Sequence, residues 1–435
     1  MNYKETLAFL ENLEVYGIVF GLERIHRLLN EMGNPHRRFR SIHIAGTNGK
    51  GSTAAYLASV LKQAGYKTGL YTSPHLNRFT ERIQICGEEI QPGQVIRYTE
   101  QILAMIRAAG PEFKPTYFEV TTAMAMAHFA DMGVEFAVVE AGMGGRLDAT
   151  NVLIPEVSVI TNVALEHTEY LGASVEDIAR EKGGIIKEGV DVVTAERDPR
   201  ALAVLKEICD RKGSRLIRVG HDIEAESVTL DRSDGSRTFD FLGEEHHWKG
   251  LAIRLMGAYQ VQNAMISLGV LEGLIRKGIK IPESSVRLGL SDTRWPCRME
   301  VVSRDPYMIL DGAHNPHASQ ALLRVLEEDL SFRELILVIG IFKDKDIPSV
   351  VTPLLKYADH LILTRPLHAR SADPHVLSRD IQRPGLDIRV RDRIPDAIDH
   401  ALSLYRTGDL ILITGSLYTV GEARAYLVKG VTDSF

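Results

Sequence analysis

Apolar positions along the chain recur in two rhythms that alternate. Leu22, Ile25, Leu28 and Leu29 lie on one face at helical spacing, which predicts a helix over about 21–32, stopped by Gly33-Asn34-Pro35. With an earlier helix it fills residues 1–40. Strand-length apolar runs come next: Ile42 and Ile44, then 67–72, then Phe136-Ala137-Val138-Val139 closed by Glu140, then 157–163. Between them, 118–132 is apolar on all sides and predicts a buried helix. Strands separated by helical stretches are the βαβ signature of a mostly parallel sheet, where ligands sit beyond the carboxyl ends of the strands. Two weaker βα pairs are expected across 191–219.

The rhythm changes over 227–256. Val228-Thr229-Leu230, a Ser233-Asp234-Gly235 turn and Thr238-Phe239-Asp240-Phe241 predict a hairpin, a small antiparallel patch closing the first domain. Gly257-Ala258-Tyr259-Gln260 opens a helix containing Asn263, and Trp295-Pro296-Cys297-Arg298 reads as a linker. Beyond it, Met308-Ile309-Leu310, 335–339, Leu361-Ile362-Leu363 and 410–413 alternate with helices. The expected fold class is α/β: a P-loop NTPase-like, mostly parallel sheet domain with a small antiparallel patch over 1–294, a linker at 295–299, and a smaller Rossmann-like α/β domain over 300–435.

Composition narrows the chemistry. A chain of 435 residues exceeds one ordinary core and is expected to split into two or three domains. The formal charge of −6 comes without a basic block, which argues against a nucleic-acid groove. Cys86, Cys209 and Cys297 are far apart, so neither a disulfide framework nor a zinc spacing is expected. No apolar run is long enough to span a bilayer and the N-terminus lacks a signal-peptide pattern, so the cytoplasm is expected. A monomer is the expected state.

The chain is organised around Gly46-Thr47-Asn48-Gly49-Lys50-Gly51-Ser52, between a strand and a helix. Such a loop offers backbone N–H groups and a helix N-terminus to a phosphate, and Lys50 adds a positive charge. The usual P-loop spacing is not met: Ile44 stands where its first glycine would be, and Gly51 separates Lys50 from the hydroxyl of Ser52. A plain glycine-rich turn is the competing reading. Ser73, Glu140 and His167 join Lys50 at strand ends, and a carboxylate with a hydroxyl suits Mg²⁺, although histidine is an unusual ligand for it.

That loop, followed by Tyr71-Thr72-Ser73-Pro74-His75-Leu76 and Glu81-Arg82-Ile83, resembles the folylpolyglutamate synthases and dihydrofolate synthases of the Mur ligase superfamily. The resemblance runs on to Thr414-Gly415-Ser416 and implies an ATP-dependent ligase that joins L-glutamate to dihydropteroate and to reduced folates through an acyl phosphate. It implies ATP contacts from Thr47, Asn48, Gly49, Lys50, Gly51, Ser52, Asn263, Arg298 and Asp311. Two Mg²⁺ ions are implied, one of them held by Ser73, Glu140 and His167. Lys182, in Glu181-Lys182-Gly183-Gly184, matches a lysine that related ligases carry carbamylated. His314 would lie by the incoming glutamate, whose carboxylates Arg82 and Ser416 would hold. Thr116, Phe118, Asp148 and Ala149 match pterin contacts of members that also use dihydropteroate. Lys50, Glu140, His167, Lys182 and His314 are then the catalytic set.

Two departures stand out: Glu166 precedes His167 where aspartate is more usual, and Cys297 replaces the glycine before Arg298. Only about forty residues precede the loop, too few for the nucleotide-sugar domain of the peptidoglycan ligases. Folylpolyglutamate synthesis alone, a Mur-type ligase acting on another carboxylate, and a P-loop NTPase that binds nucleotide without making an amide are the alternatives.

Overall fold

The computed structural model describes residues 1–428 except 14–16, 18, 382 and 384. Its first part runs α1 (Tyr3–Asn12), α2 (Glu23–Glu31), β1 (Arg40–Ala45), α3 (Lys50–Gln63), β2 (Thr68–Tyr71), β3 (Ile83–Ile85), β4 (Glu88–Glu89), α4 (Pro92–Ala109), α5 (Tyr117–Asp131) and β5 (Phe136–Glu140). It continues with β6 (Val157–Ile160), α6 (Thr168–Leu171), α7 (Val175–Gly183), β7 (Asp191–Thr194), α8 (Pro199–Lys212) and β8 (Leu216–Arg218). The strands form one eight-stranded sheet in the order β4-β3-β2-β5-β1-β6-β7-β8. All of it is parallel except β3 and β4, an antiparallel edge absent from the sequence reading.

Local chemistry explains the helix starts. Asn2 with Glu5 and Thr116 with Glu119 form reciprocal capping boxes at α1 and α5, each satisfying two N–H groups that helix geometry leaves open. β5 is buried at every position, as expected of a strand covered on both faces by helices. β6 ends at Ile160, three residues short of the apolar run, because Thr161 to Ala164 turn away to support the loop after β1.

The expected hairpin is a three-stranded sheet: β9 (Glu224–Leu230), β10 (Arg237–Leu242) and β11 (His247–Ile253), in the order β11-β10-β9. The alternation of β10 places Phe239 and Phe241 inward, where they meet Trp248 and Leu251 of β11. α9 (Ala258–Arg276) is buried between this sheet and the parallel one, and α10 (Glu283–Asp292) packs on α3. Each aliphatic side chain fully buried there contributes about 1.5–3 kcal/mol.

A six-stranded sheet follows, built from β12 (Glu300–Arg304), β13 (Tyr307–Leu310), α11 (Pro316–Glu328), β14 (Leu335–Ile339), α12 (Ile347–Leu355), β15 (Ala358–Leu363), α13 (Pro374–Asp380), β16 (Asp387–Val390), α14 (Ile394–Leu404), β17 (Leu410–Thr414) and α15 (Leu417–Leu427). Its order is β12-β13-β17-β14-β15-β16, parallel except for β12 at one edge. The chain is therefore α/β, with a large, mostly parallel sheet and a second α/β unit behind it. Between them, Trp295 lies against the first turn of α3, where a Cβ on Gly51 would meet its indole at 2.9 Å.

Candidate active site

The loop between β1 and α3 is held from below. Thr47 and Asn48 donate their backbone N–H groups to the carbonyl and side-chain oxygens of Asn162, at 2.9 and 3.0 Å. Thr161 Oγ1 donates to the Asn48 carbonyl at 2.7 Å, and Ala164 N–H to Thr47 Oγ1 at 3.0 Å. Gly49 is left-handed, φ +85°, and a Cβ there would collide with Asn263, so only glycine lets α3 begin at Lys50. The helix thus starts inside the glycine-rich stretch, at Lys50. Asn263 is fixed by Gln260, which in turn reaches Ser52 Oγ at 3.3 Å. Lys50 Nζ lies across the loop mouth, 2.9 Å from the Gly46 carbonyl and 4.0 Å from Glu140 Oε1.

Glu140 ends β5 in a buried position and accepts the Ser73 N–H at 3.3 Å. Burial raises its carboxyl, and the Lys50 charge opposes the rise. His167 sits in the left-handed region, φ +47°, at the start of α6, and burial lowers its pKa. Its neighbour Glu166 lines the same cleft and binds Lys182 Nζ at 2.7 Å. Burial alone would raise the Glu166 carboxyl, but the charges of Lys182 and Lys50 outweigh it and bring it down to about 2. Burial lowers Lys182 to about 8 against the opposing pull of Glu166.

The second sheet contributes the opposite wall. Asp311, just past β13, accepts the N–H groups of Met299 and Ala313 at 3.0 and 2.9 Å; burial raises its carboxyl and Arg298 opposes this. His314 Nδ1 lies 2.8 Å from the Gly312 carbonyl, so Nδ1 carries the proton and Nε2 remains an acceptor. Burial pushes this imidazole down to about 4. Ser416 caps α15 by accepting the Thr419 N–H. The halves touch directly where Asn315 Nδ2 donates to Asn48 Oδ1 at 3.0 Å and Asn48 Nδ2 lies 3.1 Å from His317 Nδ1.

Together these groups bound a cavity of about 430 Å³. Thr47 to Ser52, Ser73, Glu140, His167, Asn263, Arg298, Asp311, His314 and Ser416 all line it. Lys182 lies behind Glu166 and off the wall. Arg82, Thr116, Phe118, Asp148 and Ala149 also stand apart from it. Arg82 is 7 % exposed, donates to His75 Nδ1 at 2.7 Å and stacks over Tyr117. Thr116 caps α5, and Phe118 packs against Gly142 and Tyr71. Asp148 spends its carboxylate on the loop itself, accepting from the Met143 and Thr150 N–H groups, and Ala149 is buried in the turn that follows. Sequence reasoning missed Phe342, Lys345, Arg370 and Tyr418 on the second wall, which are brought in by loops after β14 and β15 and by α15.

The donor set suits a hard cation. Among the described residues no three His, Cys, Asp or Glu side chains form a ready-made metal cluster. The Ser73 hydroxyl, one or two carboxylates and a histidine would instead share a Mg²⁺ with phosphate and water oxygens, the usual way this ion is held.

A phosphate-type loop, a carboxylate at the neighbouring strand end and a second α/β unit over the cleft define a P-loop nucleotide-binding protein with a two-sided active site. The chain matches the Mur ligase middle domain over residues 44–271 and the Mur ligase glutamate ligase domain over 297–417. It is 33% identical to a dihydrofolate synthase/folylpolyglutamate synthase of Bacillus subtilis, over 98% of this chain and 99% of that protein. It also superposes with a TM-score of 0.91 on a Mycobacterium tuberculosis folylpolyglutamate synthase complexed with ADP and AMPPCP, at 33% identity, covering 98% and 99% of the two chains. The chain belongs to the Mur ligase family, among its dihydrofolate synthase/folylpolyglutamate synthase members. It is 35% identical to a probable bifunctional folylpolyglutamate synthase/dihydropteroate synthase of Halobacterium salinarum but spans only about half of that protein, 51% of its length.

Proposed function

We propose that the chain is an ATP-dependent ligase that adds L-glutamate to dihydropteroate and to reduced folates. The observation that carries this reading is one cavity where Lys50, Ser73, Glu140 and His167 face Asp311, His314 and Ser416 from the second sheet. Lys50 and the N–H groups of the loop would take the ATP phosphates, with Asn263, Arg298 and Asp311 on the nucleoside side. Mg²⁺ held by Ser73, Glu140 and His167 would neutralise phosphate oxygens. The acceptor carboxylate attacks the γ-phosphorus, ADP leaves and an acyl phosphate forms; the glutamate amine then displaces phosphate from the carbonyl carbon.

His314 is neutral at neutral pH and keeps Nε2 as an acceptor toward the amine. Asn48 and Asn315 join the two halves at the cleft, and closure there would keep water from the acyl phosphate. Arg82 and Ser416 are assigned to the glutamate carboxylates, and Thr116, Phe118, Asp148 and Ala149 to the pterin, from family resemblance. The working division is 1–294, 295–299 and 300–435. A monomer acting in the cytoplasm completes the proposal.

The test is Lys50→Ala and Glu140→Gln. Each is expected to lower ATP-dependent glutamate addition by about 100- to 1,000-fold in kcat while leaving the folded state intact by circular dichroism. Full activity in either variant contradicts the assignment.

A further inference from the structure

We propose that Leu76 and Gly421 are positioning residues: their contact sets Ser73 and Arg82, on the first half of the site, in register with Ser416 on the second. This rests on the glutamate part of the proposed function and adds to it the residues that align its two sides.

The chain between β2 and β3 is a closed loop. Thr72 N–H donates to the Arg82 carbonyl at 3.1 Å across its base. Inside it, the Glu81 carboxylate accepts the N–H groups of Leu76, Asn77 and Arg78 at 2.7, 3.2 and 3.0 Å. Arg82 Nε donates to His75 Nδ1 at 2.7 Å. Hydrogen bonds to a charged acceptor are stronger than neutral ones, so the loop moves as one piece. A displacement of Leu76 is passed on to Ser73 and Arg82 instead of being absorbed between them. Ser73 and Pro74 line the cleft.

The tip of this loop is seated on the other half. Leu76 packs against the buried cluster of the second sheet that holds Leu310, Ile413 and Val420. Its carbonyl lies against Gly421, where a Cβ would stand 2.7 Å from the oxygen and 3.3 Å from the carbonyl carbon. With backbone against backbone there is no side chain to swing aside, so any residue larger than glycine must part α15 from the loop. Ser416 caps α15, and Ser416, Leu417 and Tyr418 face the cleft. One helix thus carries the Ser416 hydroxyl at its start and the Leu76 contact about a turn and a half further on.

The experiment is steady-state kinetics of Gly421→Ala, Leu76→Ala and Leu76→Met in ATP-dependent glutamate addition. The first two are expected to raise the KM for L-glutamate about tenfold or more. The KM for ATP should change by about twofold at most, since Lys50, Asn263 and Asp311 lie on other elements. Leu76→Met, which nearly keeps the volume, is expected to hold the wild-type KM for glutamate. An unchanged glutamate KM in both Gly421→Ala and Leu76→Ala, or KM values for ATP and glutamate that rise together, overturns the proposal. Urea unfolding of Gly421→Ala, Leu76→Ala and the double variant is a second readout, independent of turnover. Their effects on stability are expected to be non-additive because both act at one contact, and additivity overturns the proposal. A wild type that adds no glutamate contradicts the proposed function instead, and the unfolding cycle still decides the contact.

Discussion

At the residue scale, the cleft depends on groups whose burial decides their charge. His43, in β1, is completely buried with Nε2 2.7 Å from Thr150 Oγ1, and burial holds its pKa at about 3, below the ordinary 6.5. Between those values the unfolded chain carries a proton on this ring that the folded chain does not, so its contribution to stability is lost as pH falls from 6.5 toward 3. His43→Gln removes that titration. The stability difference between wild type and variant is expected to shift in the variant's favour by about 3 kcal/mol from about pH 7.5 to about pH 4.5, measured by urea unfolding. A difference independent of pH contradicts this. Residues in a local pattern were legible in the sequence: Lys50 in its glycine loop, Glu140 closing an apolar strand, Asp311 and His314 after another. Lys345 and Arg370 were not, because their loops carry no motif and only the sheet order brings them to the cleft. The direct pairing of Lys182 with Glu166, sixteen positions apart, was equally invisible.

At the element scale, the apolar runs specified strands and helices well where both faces are covered. They failed where pairing depends on a partner strand: β3, β4, β11 and β12 are short or half-exposed, and nothing in their own residues announces the neighbour that completes them. The hairpin expected at 228–241 gained its third strand because Trp248 and Leu251 complete a core with Phe239 and Phe241. Close helix packing is another feature the sequence hides. A Cβ on Gly289 of α10 would lie 2.5 Å from Val60 Cα, and Ser59 Oγ donates to the Gly289 carbonyl at 2.7 Å. Gly289→Ala must therefore push α10 off α3, the helix whose first turn forms the phosphate loop. The expected cost is about 1–3 kcal/mol in denaturant unfolding, together with weaker binding of AMPPCP. A variant as stable as wild type contradicts the close packing.

At the scale of the whole molecule, the two halves are tied at the cleft and again by a buried ion pair. Arg237 of β10 pairs with Asp329 just past α11, both buried, while Arg237 Nη1 and Asp329 Oδ2 are left without partners. Arg237→Met strands a buried carboxylate and is expected to cost about 3–5 kcal/mol; adding Asp329→Leu should recover most of that, since a buried pair is often replaceable by apolar groups. Equal stability of the single and double variants in urea unfolding contradicts the tie. The apolar pattern pointed to two α/β units, but this contact joins positions ninety-two apart with no motif at either end. Holding both halves over one cavity is what the proposed ligation needs, and one measurement tests that claim most directly: ADP release by the purified protein with ATP and Mg²⁺, comparing dihydropteroate with a reduced folate, with and without L-glutamate. The account predicts release with both acceptors, dependent on glutamate. Release that ignores glutamate, or none with either acceptor, contradicts it.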